Sequence, residues 1–328
     1  MWRMNMSRFA RLTAIQSTVL VCGLLFSAGC STINKQAASQ LATQGVSAAS
    51  SIGQSYQSTI QDLNRYVEGE FLLSGLKPGY SPPSKDMLKS IDTVEDELRL
   101  RQQMLSGLSD VYTSFGALCA YDASGEVEKS LGDTVQAGNS LATLLGGGAI
   151  SDSAGELFAK AGGAIAGRVQ DDRIKDASAK IRSLLGGIVF LLQQTNEQAA
   201  VVAAREEISR GKLKVAMTFW TDDFASADGI LDEQIQAYGL TPNPSALTQA
   251  SKNLALKAGV SEVLKWRQKQ EQDSQAAAYT ATIQALKTLI NEHAKIEAGE
   301  PVDLGSIQGN LATIQQYVDL ITAVKKGK

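Results

Sequence analysis

The chain has 328 residues, of which 44% are hydrophobic and 20% charged, and a formal charge of −3. That apolar fraction is enough for a packed core and excludes wholesale disorder, and the length allows one large or two smaller domains. One histidine excludes any catalytic or metal site that needs two, three cysteines exclude a disulfide framework or a four-cysteine metal site, and the negative balance argues against a nucleic-acid partner.

In chain order, the first segment is an address. Residues 1–29 carry Arg3, Arg8 and Arg11 and no acidic residue, and no further charge appears until Lys35. Ile15 to Phe26 is mostly apolar. A basic start followed by about a dozen apolar residues fits a secretory signal better than a spanning helix, which needs roughly 20. The segment ends in Ser27-Ala28-Gly29-Cys30. Small residues at Ala28 and Gly29 let an extended backbone enter a narrow peptidase site, and a thiol is the nucleophile that forms a thioether.

This segment resembles the lipobox of bacterial lipoproteins, although Ser27 stands where that family usually has leucine. The resemblance covers only the first 30 or so residues. It implies that Cys30 takes a diacylglycerol, that a peptidase cuts before it, and that the new amine is acylated. Ser31 follows the cysteine where aspartate would favour retention in the inner membrane, so the resemblance implies the outer membrane. Several acyl chains make such an anchor effectively permanent. The expected organisation is a signal over 1–29 and a helical bundle over 30–328.

Proline punctuates the rest. All six fall at Pro78, Pro82 and Pro83, at Pro242 and Pro244, and at Pro301. A helix interior loses roughly 3 kcal/mol to a proline, so the long proline-free tracts rich in Ala, Leu, Gln, Glu and Lys favour helix. Apolar residues agree in their spacing. Leu41, Ala48, Ile52, Ile60 and Leu63 mark one stripe, and Leu105, Leu108, Tyr112, Phe115 and Cys119 mark a second. Leu304, Ile307, Leu311, Ile314, Val318 and Ile321 step most regularly of all, which places them on one helix face.

The pattern predicts an all-α, elongated bundle of long helices. Helices are expected at about 33–74 and 84–121, the second capped by Ser84. Two shorter ones fall in a Gly/Ala-rich region over 124–168. Another runs from Asp171 to Tyr238 with room for a break, followed by 245–258, 260–298 and 303–326.

Several side chains carry possible chemistry. His293 lies on or beside an apolar stripe, which reads as a half-buried residue with one hydrogen bond rather than a base. No Gly-x-Ser-x-Gly elbow accompanies it. The acidic clusters Glu95-Asp96-Glu97, Asp171-Asp172, Glu206-Glu207, Asp222-Asp223 and Asp232-Glu233 read as solvated helix faces, because adjacent helical residues point about 100° apart and do not converge. Cys119 reads as a small buried hydrophobe. Phe219, Trp220 and Phe224 are the densest aromatic group: a core or helix-end cluster, or a partner-binding anchor.

Together these readings point to a non-enzymatic protein, without cofactor or metal, lipid-anchored in the outer membrane and facing the periplasm. It would serve as a structural or binding protein that engages another envelope protein. A rival reading uses the nearly uncharged stretches between 134 and 192 as a membrane-inserting hairpin, by analogy with helical pore-forming toxins. The two part on one observation: whether 134–192 packs inside the bundle.

Overall fold

The computed structural model describes residues 34–146, 149–222, 230, 235–241 and 254–325. The expected signal, Cys30 and Phe224 lie outside them. Among the described residues there is no strand, and the fold is all-α.

The first helix, α1, runs Lys35–Leu76 and α2 runs Lys85–Ala120. Each starts on a side-chain cap. Asn34 accepts from the Ala37 amide at 3.0 Å, and Ser84, as expected, accepts from the Met87 amide at 3.2 Å; each satisfies an amide that the first turn leaves unpaired. The Lys77–Pro83 turn folds the two helices into an antiparallel hairpin. The stripes of three and four now explain themselves: Leu41, Ala48, Ile52, Ile60 and Leu63 on α1 and Leu105, Leu108, Tyr112 and Phe115 on α2 are all buried.

The Gly/Ala-rich region forms α3 (Ser124–Leu145) and α4 (Ala149–Ala159). Its glycines let one large ring in. Phe158 of α4 is 2% exposed and lies against Gly138 of α3 and Gly187 of the next helix, where any Cβ would overlap the ring.

The stretch expected from Asp171 to Tyr238 does break. It gives α5 (Gln170–Leu192) and α6 (Ala199–Thr221), and the break is held by a buried ionic knot. Arg101 of α2 reaches the Gln194 carbonyl and Arg205 of α6 reaches the Asn196 carbonyl, each at 2.7 Å. Both arginines converge on Glu97, which is 4% exposed. The acidic cluster at 95–97 is therefore not simply a solvated face: its third member is pulled inward, because two guanidinium groups compensate the desolvated carboxylate.

The next long helix described, α7 (Leu254–Ala298), is a single element where two were expected to meet near 259. Gly259 has open space around it and does not interrupt the helix, as an exposed glycine costs only about 1 kcal/mol. The turn at Gly299, with φ +74°, returns the chain into α8 (Gly305–Lys325).

Five contacts set the levels. Lys35 at the start of α1 bonds Gln170 at the start of α5. Ser178 and Leu192 of α5 face His293 and Tyr279 of α7, so those helices are antiparallel. Asp62 of α1 pairs with Lys212 of α6, and Lys77 with Asp222. One end of the bundle, at the start of α1, therefore carries α1 to α5 with the last part of α7. The other carries the end of α1, the start of α2, α6 and the start of α7, with the last turns of α8 beside them.

Candidate functional site

The far end of the bundle holds a cleft of about 900 Å³. Asp62, Arg65, Tyr66 and Leu72 of α1 form one wall. Lys212, Val215 and Phe219 of α6 face Leu264, Trp266, Arg267 and Glu271 of α7, and Leu320 and Ile321 of α8 close one side. Its volume lies in the usual range for ligand sites, roughly 300–1,000 Å³. Most of the lining is apolar, and two large side chains stand open at it: Leu72 is 60% exposed and Trp266 62%. Neither was singled out by sequence pattern. Trp266 sits between Lys265 and Arg267, and an aromatic amid cations on a polar helix is the signal that could have marked it.

Four of the charges that line the cleft pair within it. Lys212 spans from Asp62 on α1 to Glu271 on α7, the latter at 2.9 Å, and Arg65 lies 3.7 Å from Asp62. The lining therefore suits an apolar face and carries charge of both signs beside it.

Behind one wall lies a polar pocket. Glu70 is 2% exposed. Tyr80, from the turn after α1, donates its hydroxyl to Glu70 Oε2, while Lys214 stands 3.8 Å from Oε1 and 4.8 Å over the Tyr80 ring. Tyr66 is buried flat against Gly211 of α6, with no room for a Cβ between them. Its hydroxyl and Glu70 Oε1 find no hydrogen-bond partner among the described residues. Burial, and then the nearby Glu70, hold the Tyr66 hydroxyl well above its ordinary pKa.

The expected site residues divide. Phe219 is half-buried and lines the cleft. Trp220 does not: it is 3% exposed, packs with Val260, and donates its indole N–H to the Lys257 carbonyl at 3.0 Å. It rivets α6 to α7, as the core or helix-end reading of this cluster expects. Cys119 is buried, and burial raises its thiol to about 11.

His293 is more deeply placed than its spacing suggested. It is fully buried, and both ring nitrogens are engaged. Nδ1 lies 2.8 Å from Ser178 Oγ and Nε2 3.1 Å from the Tyr112 hydroxyl. One neutral tautomer satisfies all the groups. Nδ1–H donates to Ser178, Ser178 donates to the His293 carbonyl at 3.2 Å, and Tyr112 donates to Nε2. Burial pushes the imidazole pKa down to about 3. Sealed from solvent and already satisfied, this set specifies packing and offers nothing to a substrate.

The 134–192 region packs inward: Leu141, Leu145, Ile181, Leu184, Ile188 and Leu191 all belong to the main core. Among the described residues, no helix is long and apolar enough to cross a membrane, and no group of three or more His, Cys, Asp or Glu could hold a metal ion. No protein-family model, curated protein or solved structure matches the chain.

Proposed function

We propose that the chain is a lipoprotein of the bacterial cell envelope, acylated at Cys30, held in the outer membrane on its periplasmic side, and built to present a protein-binding cleft. One observation carries the reading. Cys30 lies four residues before Asn34, the cap of α1, and the cleft lies along the far part of that same helix. From Lys35 to Tyr66 the helix rises about 46 Å at about 1.5 Å per residue. The start of α1, four residues beyond Cys30, and the exposed Leu72 and Trp266 are thus at opposite ends of the bundle. In this reading no residue is catalytic and no cofactor is needed; the work is holding a partner at a distance from the membrane.

The packed state of 134–192 supports this reading over membrane insertion, because insertion would have to extract Leu184, Ile188 and Leu191 from the main core. Two measurements test the proposal. Cys30→Ala should abolish incorporation of labelled fatty acid and release the protein from the outer-membrane fraction. Photo-crosslinking residues at positions 72 and 266 should capture one envelope protein in intact cells, whereas position 160, on the anchor-side part of the bundle, should not. Unchanged fractionation of the alanine variant would refute the anchor, and indistinguishable crosslinks from both ends would refute the cleft.

A further inference from the structure

Two large apolar side chains also stand in the open at the end where α1 begins. Tyr121, just past α2, and Val169, just before α5, are each 58% exposed. They belong to one hydrogen-bonded corner. Gln170 donates from Nε2 to the Leu118 carbonyl at 2.7 Å and accepts from Lys35 Nζ at 2.7 Å. Arg173 pairs with Asp122 and donates from Nε to the Gly167 carbonyl at 3.2 Å. Gly167 has φ +142°, and a Cβ there would sit 2.8 Å from the Arg173 amide nitrogen, so the turn before Val169 requires glycine. Fixed bonds, rather than loose loops, hold both residues at the surface.

The position of the anchor says what covers this corner. Four residue steps separate Cys30 from Asn34, and an extended chain spans at most about 3.6 Å per residue, so the tether reaches no more than about 14 Å. We propose that this end of the bundle is a membrane seat. Tyr121 and Val169 enter the headgroup boundary of the leaflet that holds the Cys30 acyl chains, and the rod stands upright with its cleft turned away from the bilayer. This rests on the reading of Cys30 as the lipidated residue. A tyrosine with an apolar ring and a polar tip suits that boundary. Two side chains alone would hold a free protein poorly, but a short covalent tether makes the contact intramolecular, at high effective concentration. The corner carries both signs of charge, Lys35 and Arg173 against Asp122 and Asp171, so the seat is apolar and indifferent to anionic lipid.

The test uses the full lipoprotein purified from membranes and placed in phosphatidylcholine vesicles, with and without phosphatidylglycerol. Spin labels go on Tyr121→Cys, Val169→Cys or Leu72→Cys; buried Cys119 stays unlabelled. A water-soluble nickel relaxant should reach positions 121 and 169 roughly fivefold less than position 72, equally in both vesicles. Mass spectrometry of the same samples reads acylation at Cys30. Acylated protein whose labels at 121 and 169 are as open to nickel as the one at 72 overturns the seat and leaves the anchor standing. An unacylated Cys30 overturns both. Protection that appears only with phosphatidylglycerol overturns the apolar seat in favour of an electrostatic one.

Discussion

Near the start of α1, the α1–α2 hairpin is covered by α3, α5 and the second half of α7, with α4 wedged behind them; at the far end the same hairpin meets α6 and the first part of α7. The first half has a broad core that runs through Leu41, Met104, Leu108, Phe115, Leu184 and Leu289. The second has a thin one, with Leu63, Leu73, Ile91, Val94, Val201 and Val215 at its centre. The polar interiors differ in the same sense. In the broad half the His293 set leaves no ring nitrogen without a partner, whereas in the thin half the Tyr66 hydroxyl and Glu70 Oε1 are buried with no hydrogen bond among the described residues. A thin layer of helices has too little apolar surface to close over itself, and there the cleft, Leu72 and Trp266 are found. The broad half supplies the stability, and in the reading proposed above the thin half supplies the binding surface.

The largest test of that division is Phe158→Ala. The ring fills the space between two glycines and should cost about 3–5 kcal/mol when removed, as buried phenylalanines do. Trp266→Ala at the far end, on an exposed side chain, should stay within about 0.5 kcal/mol. Denaturant melts compare the two, and similar losses would erase the distinction between the halves.

Along α8 the same logic grades three neighbours. Ile314 is fully buried, Leu311 half-buried and Gln315 exposed. Ile314→Ala should cost about 2–5 kcal/mol, Leu311→Ala less, and Gln315→Ala within about 0.5 kcal/mol. Equal effects would mean that α8 is not docked on α1 and α7.

Acid should weaken the broad half through its lone histidine. Folded His293 has a pKa of about 3 and the unfolded side chain about 6.5. Above the unfolded value both states are neutral and the group contributes no pH dependence. As pH falls through about 6.5, the unfolded chain takes a proton that the native state refuses, so stability is lost, by about 2 kcal/mol at pH 5. His293→Asn should flatten that part of the profile, whatever its effect on stability at neutral pH. A profile as steep as the parent's would place the loss on other groups.

The sequence carried the helical class and most of the boundaries because proline spacing and apolar stripes are local signals. Ser84 as a cap and the half-buried flank of α8 follow from the same rules, whereas the stretch from Asp171 to Tyr238 offered room for a break without saying where. The site was less legible. Trp220 and Phe219 are neighbours in sequence, yet one is sealed between α6 and α7 while the other lines the cleft, a difference fixed by which helices arrive from far along the chain. Glu97 looked like a solvated carboxylate because Arg205, which draws it inward, is more than a hundred residues away. The cleft itself is an absence of cover at one end, and no local pattern in α1 or α7 encodes how many helices reach that level.

The finest comparison uses the same substitution in each half. Tyr112 and Tyr66 are both buried, and each ring lies on a glycine, Gly45 and Gly211. They differ in the hydroxyl. Tyr112 donates to His293 Nε2 at 3.1 Å. In Tyr112→Phe the Nε2 atom loses its donor, and switching the tautomer does not help, since an Nε2–H would then be the unpaired group. A buried polar atom stripped of its partner costs about 1–3 kcal/mol. Among the described residues Tyr66 has no such bond to lose. Tyr66→Phe removes a buried hydroxyl whose desolvation nothing repays among the described residues, so stability should stay within about 0.5 kcal/mol of the parent or rise. It also removes the phenol that stands beside Glu70, with little change in shape. Melts at neutral pH separate the two outcomes. If Tyr66→Phe costs as much as Tyr112→Phe, the hydroxyl is engaged in solution, and the thin half is as fully satisfied as the broad one.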